Sequence, residues 1–171
     1  LRSLAQDREP ARACVASGTR RAPGRGARGP HAKLTPVLLR ELQNRLAGLY
    51  DAPAEHDVYD FLITDAAHAA ALQGAVGAPA TDEQLLVVEE EGGVGISLYV
   101  DQSVIARLAE RCPLQSLAEE NLADFCTALE GVSHFHYLVW SAGRERHVSL
   151  LELELQAEVD KYVSALQLML Q

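Results

Sequence analysis

Hydrophobic residues recur every three or four positions between residues 35 and 50, a spacing typical of one side of an α-helix. The apolar positions are Leu38, Leu42, Leu46 and Leu49. Thr35 followed by Pro36 suits the N-cap and first position of a helix, and Pro53 prevents its continuation. We therefore predict a helix from residue 35 to about residue 50.

The next segment is typical of a strand and a short helix. Residues 56–64 are rich in β-branched, aromatic and other apolar side chains and follow a turn-rich stretch, which predicts a short strand. Asp65 can cap a brief alanine-rich helix that ends at Gly74. The glycine and alanine content from Gly74 to Pro79 predicts a loop.

Two apolar runs, residues 85–90 and 94–100, predict a β-hairpin. The segment Glu91-Gly92-Gly93 separates them, and its glycines can take the positive φ angles that a tight turn needs. Asp101 then suits the N-cap of a helix that Pro113 stops.

Two capping boxes predict the starts of the last two helices: Ser116 with Glu119, and Ser149 with Glu152. The first of these helices either ends at Gly131 or continues through His134. Residues 135–140 suit a strand equally well.

The last helix is apolar on more than one side, which is typical of a helix central to a core or to a dimer contact. Its main stripe is Leu151, Leu155, Val159, Tyr162, Leu166 and Met169. The elements together predict an α+β fold. We expect an N-terminal helix, a small, mostly antiparallel sheet with a central hairpin, and two long C-terminal helices packed on it.

Composition divides the chain into two parts. Residues 1–33 combine Arg, Gly, Ala and Pro with few large apolar side chains, and their formal charge is +6. Such a segment buries too little surface to offset the entropy of ordering, so we interpret it as a disordered tail. It is either a basic arm for nucleic acid or acidic lipid, or a flexible extension. Residues 34–171 form a single acidic domain with a balance of −15.

Charge and hydropathy also limit the partners. A strongly acidic domain is a poor binder of nucleic acid, and no apolar run is long enough to span a membrane. Three cysteines without close spacing indicate reduced thiols. We therefore predict a cytoplasmic protein whose partner is another protein or a second copy of itself.

Two helical segments near the C-terminus carry a family resemblance. Residues 129–133 read Leu-Glu-Gly-Val-Ser, and residues 158–163 read Glu-Val-Asp-Lys-Tyr-Val. Together they resemble the zinc-binding helix and the following glutamate-bearing helix of the ImmA/IrrE-like minimal zincin peptidases.

The resemblance implies specific roles for these positions. Glu130 would stand at the position of the catalytic base, and Glu158 at the position of the third zinc ligand. Leu129 and Ser133 stand where that family carries its zinc-binding histidines, and neither side chain replaces imidazole as a zinc ligand. The resemblance therefore implies a zincin-like scaffold without ordinary zinc peptidase activity.

The residues also allow a different metal site. Glu130 and His134 are four residues apart and share a helix face, so with Glu158 they could offer one nitrogen and two oxygens to a metal. Against this site, that helix face lies away from the apolar stripe. In the alternative interpretation, Glu130 is an exposed carboxylate, His134 and His136 are partly buried, and Glu154 belongs with Glu158 to the polar side of the last helix.

The sequence thus favours a protein-interaction or regulatory domain without a bound cofactor. One alternative is a metal-dependent hydrolase with an unusual site, in which Glu130 is catalytic and Glu130, His134 and Glu158 bind zinc or a similar ion. The other is a small acidic chaperone-like dimer that binds an extended partner.

Overall fold

The computed structural model describes residues 35–74, 81–90 and 93–171, and these residues confirm the predicted α+β class. The elements in chain order are α1 (Thr35–Tyr50), β1 (Leu62–Ile63), α2 (Ala66–Leu72), β2 (Glu83–Glu90), β3 (Gly93–Val100), α3 (Gln102–Glu110), α4 (Glu119–Ala142) and α5 (Leu150–Met169). The predicted tail, most of the predicted loop after Gly74 and two residues of the hairpin turn lie outside the described residues. Among the described helices, none is long and apolar enough to cross a bilayer.

The predicted hairpin is confirmed and forms most of the sheet. β3 is central, antiparallel to β2 and parallel to β1. Leu98 of β3 lies opposite Leu62 and Leu85, which are partly buried and pack against the main core to which Leu98 belongs. Tyr99 points to the other face, where it packs with Ala69 of α2. The sheet therefore has α4 on one face and the short helix α2 on the other.

The prediction of a strand over residues 56–64 is only partly right, because the strand is limited to Leu62–Ile63. A 3-10 turn precedes it, and the Asp57 carboxylate accepts a backbone hydrogen bond at the start of that turn. Gln43 of α1 bonds the backbone on both sides of Asp57. These side-chain bonds give the backbone an alternative to strand pairing.

The starts of three helices agree closely with the predictions made from the sequence. α1 spans the predicted residues, and Asp65 and Asp101 cap α2 and α3 as expected. The backbone N–H groups of His68 and Ser103 donate to these two carboxylates at 2.7 and 2.8 Å. Short polar residues before an apolar pattern therefore marked these helix starts correctly.

The start of α4 differs from the prediction. The expected capping box of Ser116 and Glu119 is wrong, because α4 begins at Glu119 itself. Asn121 takes the capping role instead: its Oδ1 accepts from the backbone N–H of Ala118, and its Nδ2 donates to the carbonyl of Ser116.

α4 continues to Ala142, so the alternative strand at residues 135–140 is wrong and Gly131 does not end the helix. The helix is central to the fold and contacts α1, α3, α5 and the sheet. Its buried apolar residues are Phe125, Ala128, Leu129, Val132, Phe135 and Val139. Burial on several sides explains why residues 135–140 are apolar throughout without being a strand.

α5 begins with the predicted box, in which Ser149 and Glu152 cap each other's backbone N–H groups. Its orientation is unexpected. The buried residues of α5 are Ala157, Asp160 and Ser164, whereas the predicted apolar stripe faces solvent. We refer to Leu151, Leu155, Val159, Tyr162, Leu166 and Met169 as the outer stripe.

Candidate functional site

A cleft of about 590 Å³ lies between the sheet, α4 and the beginning of α5. Its sheet side includes the apolar residues Leu85, Val87 and Ile96. Glu83, Glu130, His134 and Glu154 also line the cleft. The cleft thus combines an apolar wall with a group of ionisable side chains, which is the usual composition of a ligand site.

Three of these side chains form a compact cluster. Glu130, His134 and Glu154 each place one potential ligand atom within 4.8 Å of the other two. Glu130 and His134 meet because they are one turn apart on α4. Glu154 comes from α5, which packs alongside α4. We call these three residues the Glu130–His134–Glu154 cluster.

The cluster differs from the predicted ligand set in one residue. Glu130 and His134 are brought together as the sequence predicts, but the third member is Glu154, one helical turn before Glu158. The expectation that Glu154 is only a surface carboxylate overlooked its position on the cleft. His134 is also more buried than expected, with 9% of its side chain exposed.

Glu158 lies on the other side of a lysine. The Lys161 ammonium donates to Glu130 Oε2 at 2.9 Å and to Glu158 Oε1 at 2.6 Å. Partial burial by itself lowers the pKa of Lys161, but the bonds to these two carboxylates outweigh burial and raise it. A cationic nitrogen therefore already bridges the two carboxylates that the sequence assigned to a metal.

Glu83 is a further ionisable residue of the cleft, and the sequence did not indicate it. It is the first residue of β2, and its Oε1 lies 3.7 Å from His134 Nδ1. Both side chains are about nine-tenths buried. Glu83 Oε1 and His134 Nε2 have no hydrogen-bond partner among the described residues.

The carboxylates control the protonation of His134. Burial lowers the pKa of this imidazole, but Glu83, Glu154 and Glu130 together outweigh burial and raise the pKa above its ordinary value of 6.5. His136 behaves in the opposite way, because burial lowers its pKa and the attraction of Asp160 only partly compensates. Two histidines that are two residues apart on α4 thus differ in proton affinity.

The positions that the zincin resemblance assigns to histidine do not line the cleft. Leu129 is fully buried in the main core. Ser133 is also buried, and its hydroxyl donates to Asp160 Oδ2 at 2.6 Å. Asp160 in turn accepts hydrogen bonds from Tyr50 of α1 and from Gln156. These residues connect α1, α4 and α5.

Comparison of the chain with family models, curated proteins and solved structures found no match. The zincin resemblance and the catalytic role of Glu130 therefore stay predictions. The one sequence signal for Glu154 was its spacing: Glu154 and Glu158 are four apart, so both lie on the same side of α5. Glu83 had no local signal, because a strand residue meets α4 only through tertiary packing.

Proposed function

We propose that this chain is a cytoplasmic protein-interaction domain that works as a homodimer, with the outer stripe of α5 as the contact surface. The observation that carries the proposal is the orientation of α5. Its fully buried residues are small or polar, and most of its large apolar residues face solvent, although Leu153, Val163 and Leu168 are partly buried. The free thiols of Cys112 and Cys126 support the cytoplasmic location.

The outer stripe is well exposed. Its six side chains are between 43% and 70% exposed, and Tyr162 is the most exposed of them. Side chains of this size offer roughly 500 Å² of apolar surface in total. Monomers leave patches of about 300–600 Å² exposed, and a stable dimer buries roughly 600–1,000 Å² on each partner. The stripe therefore supplies much of a dimer contact.

The spacing of the stripe favours another helix as its occupant. From Leu155 onward the intervals alternate between four and three residues, which is the repeat that packs one helix against another. A stripe with this repeat can pair with a second copy of itself across a two-fold axis.

The charge distribution favours a second copy. The chain has a net charge of −9, so two copies of it repel each other on average. Residues 162–171 contain no charged side chain, so the second half of the stripe is free of that repulsion. Residues 1–33 are a poor occupant, because their large apolar side chains are limited to Leu1, Leu4 and Val15.

The test is the mass of the full chain in solution, measured by size-exclusion chromatography with light scattering between about 1 and 100 μM. We expect a dimer for the wild type and a monomer for Tyr162→Glu, which places a charge at the centre of the stripe. Val37→Glu is the matched control, because Val37 is an apolar residue of α1 with 57% exposure. That variant should remain dimeric. A monomeric wild type, or a dimeric Tyr162→Glu variant, would contradict the proposal.

A metal-dependent hydrolase is the second candidate, favoured by the position of the Glu130–His134–Glu154 cluster on a cleft large enough for a small substrate. This candidate requires a metal ion at the cluster.

A further inference from the structure

Of the buried side chains that have an unpartnered polar atom among the described residues, His134 and Glu83 line the cleft. The His134 side chain is nine-tenths buried, and its Nε2 has no hydrogen-bond partner among the residues that the structure describes. A buried polar atom without a partner destabilises a fold. Because His134 lines the cleft, a ligand in the cleft can satisfy this nitrogen.

The groups around His134 identify the class of ligand. Glu130 and Glu154 bring carboxylate oxygens within 4.8 Å of a His134 nitrogen, and Glu83 adds a third carboxylate nearby. One imidazole with two carboxylates suits a divalent transition-metal ion, and zinc is bound more tightly than manganese or iron by such ligands. Metal–ligand bonds of about 2.0–2.2 Å require the ligand atoms to approach somewhat further. Glu154 is exposed and free to make that adjustment.

We propose that Glu130, His134 and Glu154 bind a divalent transition-metal ion, with Zn²⁺ as the probe, and that Glu83 positions His134. The Nδ1 atom of His134 faces Glu83, which leaves Nε2 for the metal. A carboxylate on the far nitrogen of a metal-bound histidine fixes the ring and strengthens its bond to the metal.

Lys161 competes with a metal ion for the carboxylate of Glu130. Its ammonium bonds Glu130, so the metal displaces it from that carboxylate and leaves it with Glu158. The bound ion also offsets the repulsion among Glu83, Glu130 and Glu154. Removing the Lys161 charge should therefore strengthen metal binding, whereas a lysine with a purely structural role would have no such effect.

The two glutamates of α5 provide a matched test. Glu154 and Glu158 have the same chemistry and are one turn apart, but only Glu154 belongs to the cluster. Zinc binding to the metal-free full chain would be measured by competition with a chromophoric chelator. We expect one ion per chain, a loss of affinity of at least tenfold in Glu154→Gln, and a clearly smaller change in Glu158→Gln, because Glu158 acts on the site only through Lys161.

Two further variants complete the test. Lys161→Met should bind zinc more tightly than the wild type, and Glu83→Gln should bind it about 10–100-fold more weakly. Circular dichroism of each variant checks that the fold is retained. The proposal is overturned if the wild type binds less than one ion per chain, or if Glu158→Gln weakens binding as much as Glu154→Gln. A metal-bound monomer would refute the homodimer without affecting this site.

Discussion

Glu83 occupies the space into which a side chain at Gly131 would project. A Cβ atom built at Gly131 would lie 2.7 Å from Glu83 Cγ and 2.8 Å from Leu98 Cδ1. Both distances are shorter than carbon atoms tolerate, so the glycine allows β2 and β3 to approach α4 closely. Glu83 reaches His134 because of this close approach.

We expect Gly131→Ala to destabilise the fold by about 1 kcal/mol. Alanine improves helix propensity by about 1 kcal/mol, but overpacking costs about 1–3 kcal/mol. The matched control is Gly48→Ala in α1, where no atom lies within 4 Å of the added Cβ and the variant should be about 1 kcal/mol more stable. Urea unfolding measures both changes. Equal stabilisation by the two substitutions would show that position 131 has room for a side chain.

Asp160→Asn should lower the free energy of unfolding by about 1–3 kcal/mol. Asp160 is 2% exposed and accepts hydrogen bonds from Ser133, Tyr50 and Gln156, and an amide cannot accept all three. Urea unfolding provides the measurement. Glu41→Gln serves as the control, because its contact with Arg45 is on the surface and contributes little. A loss no larger than that of Glu41→Gln would mean that this network does not hold the helices together.

The same aspartate affects Tyr50. Burial, followed by the hydrogen bond to Asp160, raises the pKa of Tyr50 to about 12. In Asp160→Asn the negative charge is gone, so we expect the pKa of Tyr50 to fall. Ultraviolet titration of the tyrosines, with Tyr50→Phe to identify the signal of Tyr50, tests this. An unchanged titration curve would contradict the contact.

The two histidines of α4 should titrate on opposite sides of the ordinary pKa of 6.5, His134 above it and His136 below it. The folded state binds the His134 proton more tightly than the unfolded chain does. The stability that His134 provides is therefore complete below pH 6.5 and is lost as pH rises through the raised pKa. His136 has the opposite effect, because its unfolded form binds the proton more tightly, so it destabilises the fold as pH falls below 6.5.

Nuclear magnetic resonance of the imidazole protons measures both pKa values on metal-free protein. Glu83→Gln should lower the pKa of His134 and leave that of His136 unchanged. The reverse order of the two pKa values in the wild type would contradict the arrangement of charges around the cleft.

Ser149→Ala should destabilise the fold by about 1 kcal/mol, because the serine hydroxyl caps the backbone N–H of Glu152 at the start of α5. Ser103→Ala is a suitable control, since that exposed hydroxyl bonds the side chains of Arg107 and Asp101 and does not cap a backbone N–H group. Thermal unfolding of both variants gives the comparison. A smaller loss in Ser149→Ala than in Ser103→Ala would rule out the cap.

Local patterns were enough to predict much of this fold. Asp65, Asp101 and Ser149 marked helix starts because a cap acts within one turn of the backbone. The hairpin was also predictable from residues close together in the chain, because two apolar runs are separated by glycines. The extent of α4 was not, since Gly131 interrupts the helical pattern for a reason that lies in the sheet.

In the candidate site, too, some features follow from local sequence and others depend on tertiary packing. The pairing of Glu130 with His134 follows from helix geometry alone. The choice between Glu154 and Glu158 depends on how α5 is placed along α4, and a repeat of four residues fits both. Periodicity likewise identified the outer stripe of α5, but it carried no information on which side of the helix is covered by the rest of the chain.

The narrow inner face of α5 has a consequence for local unfolding. A helix whose fully buried residues are limited to Ala157, Asp160 and Ser164 can open before the core of α1, α3 and α4 opens. Its backbone amides should then exchange with deuterated water through partial opening at low protein concentration. Once a partner covers the outer stripe, opening of α5 requires dissociation, so exchange slows as concentration rises. Folding of the last helix and assembly would in this way become a single equilibrium.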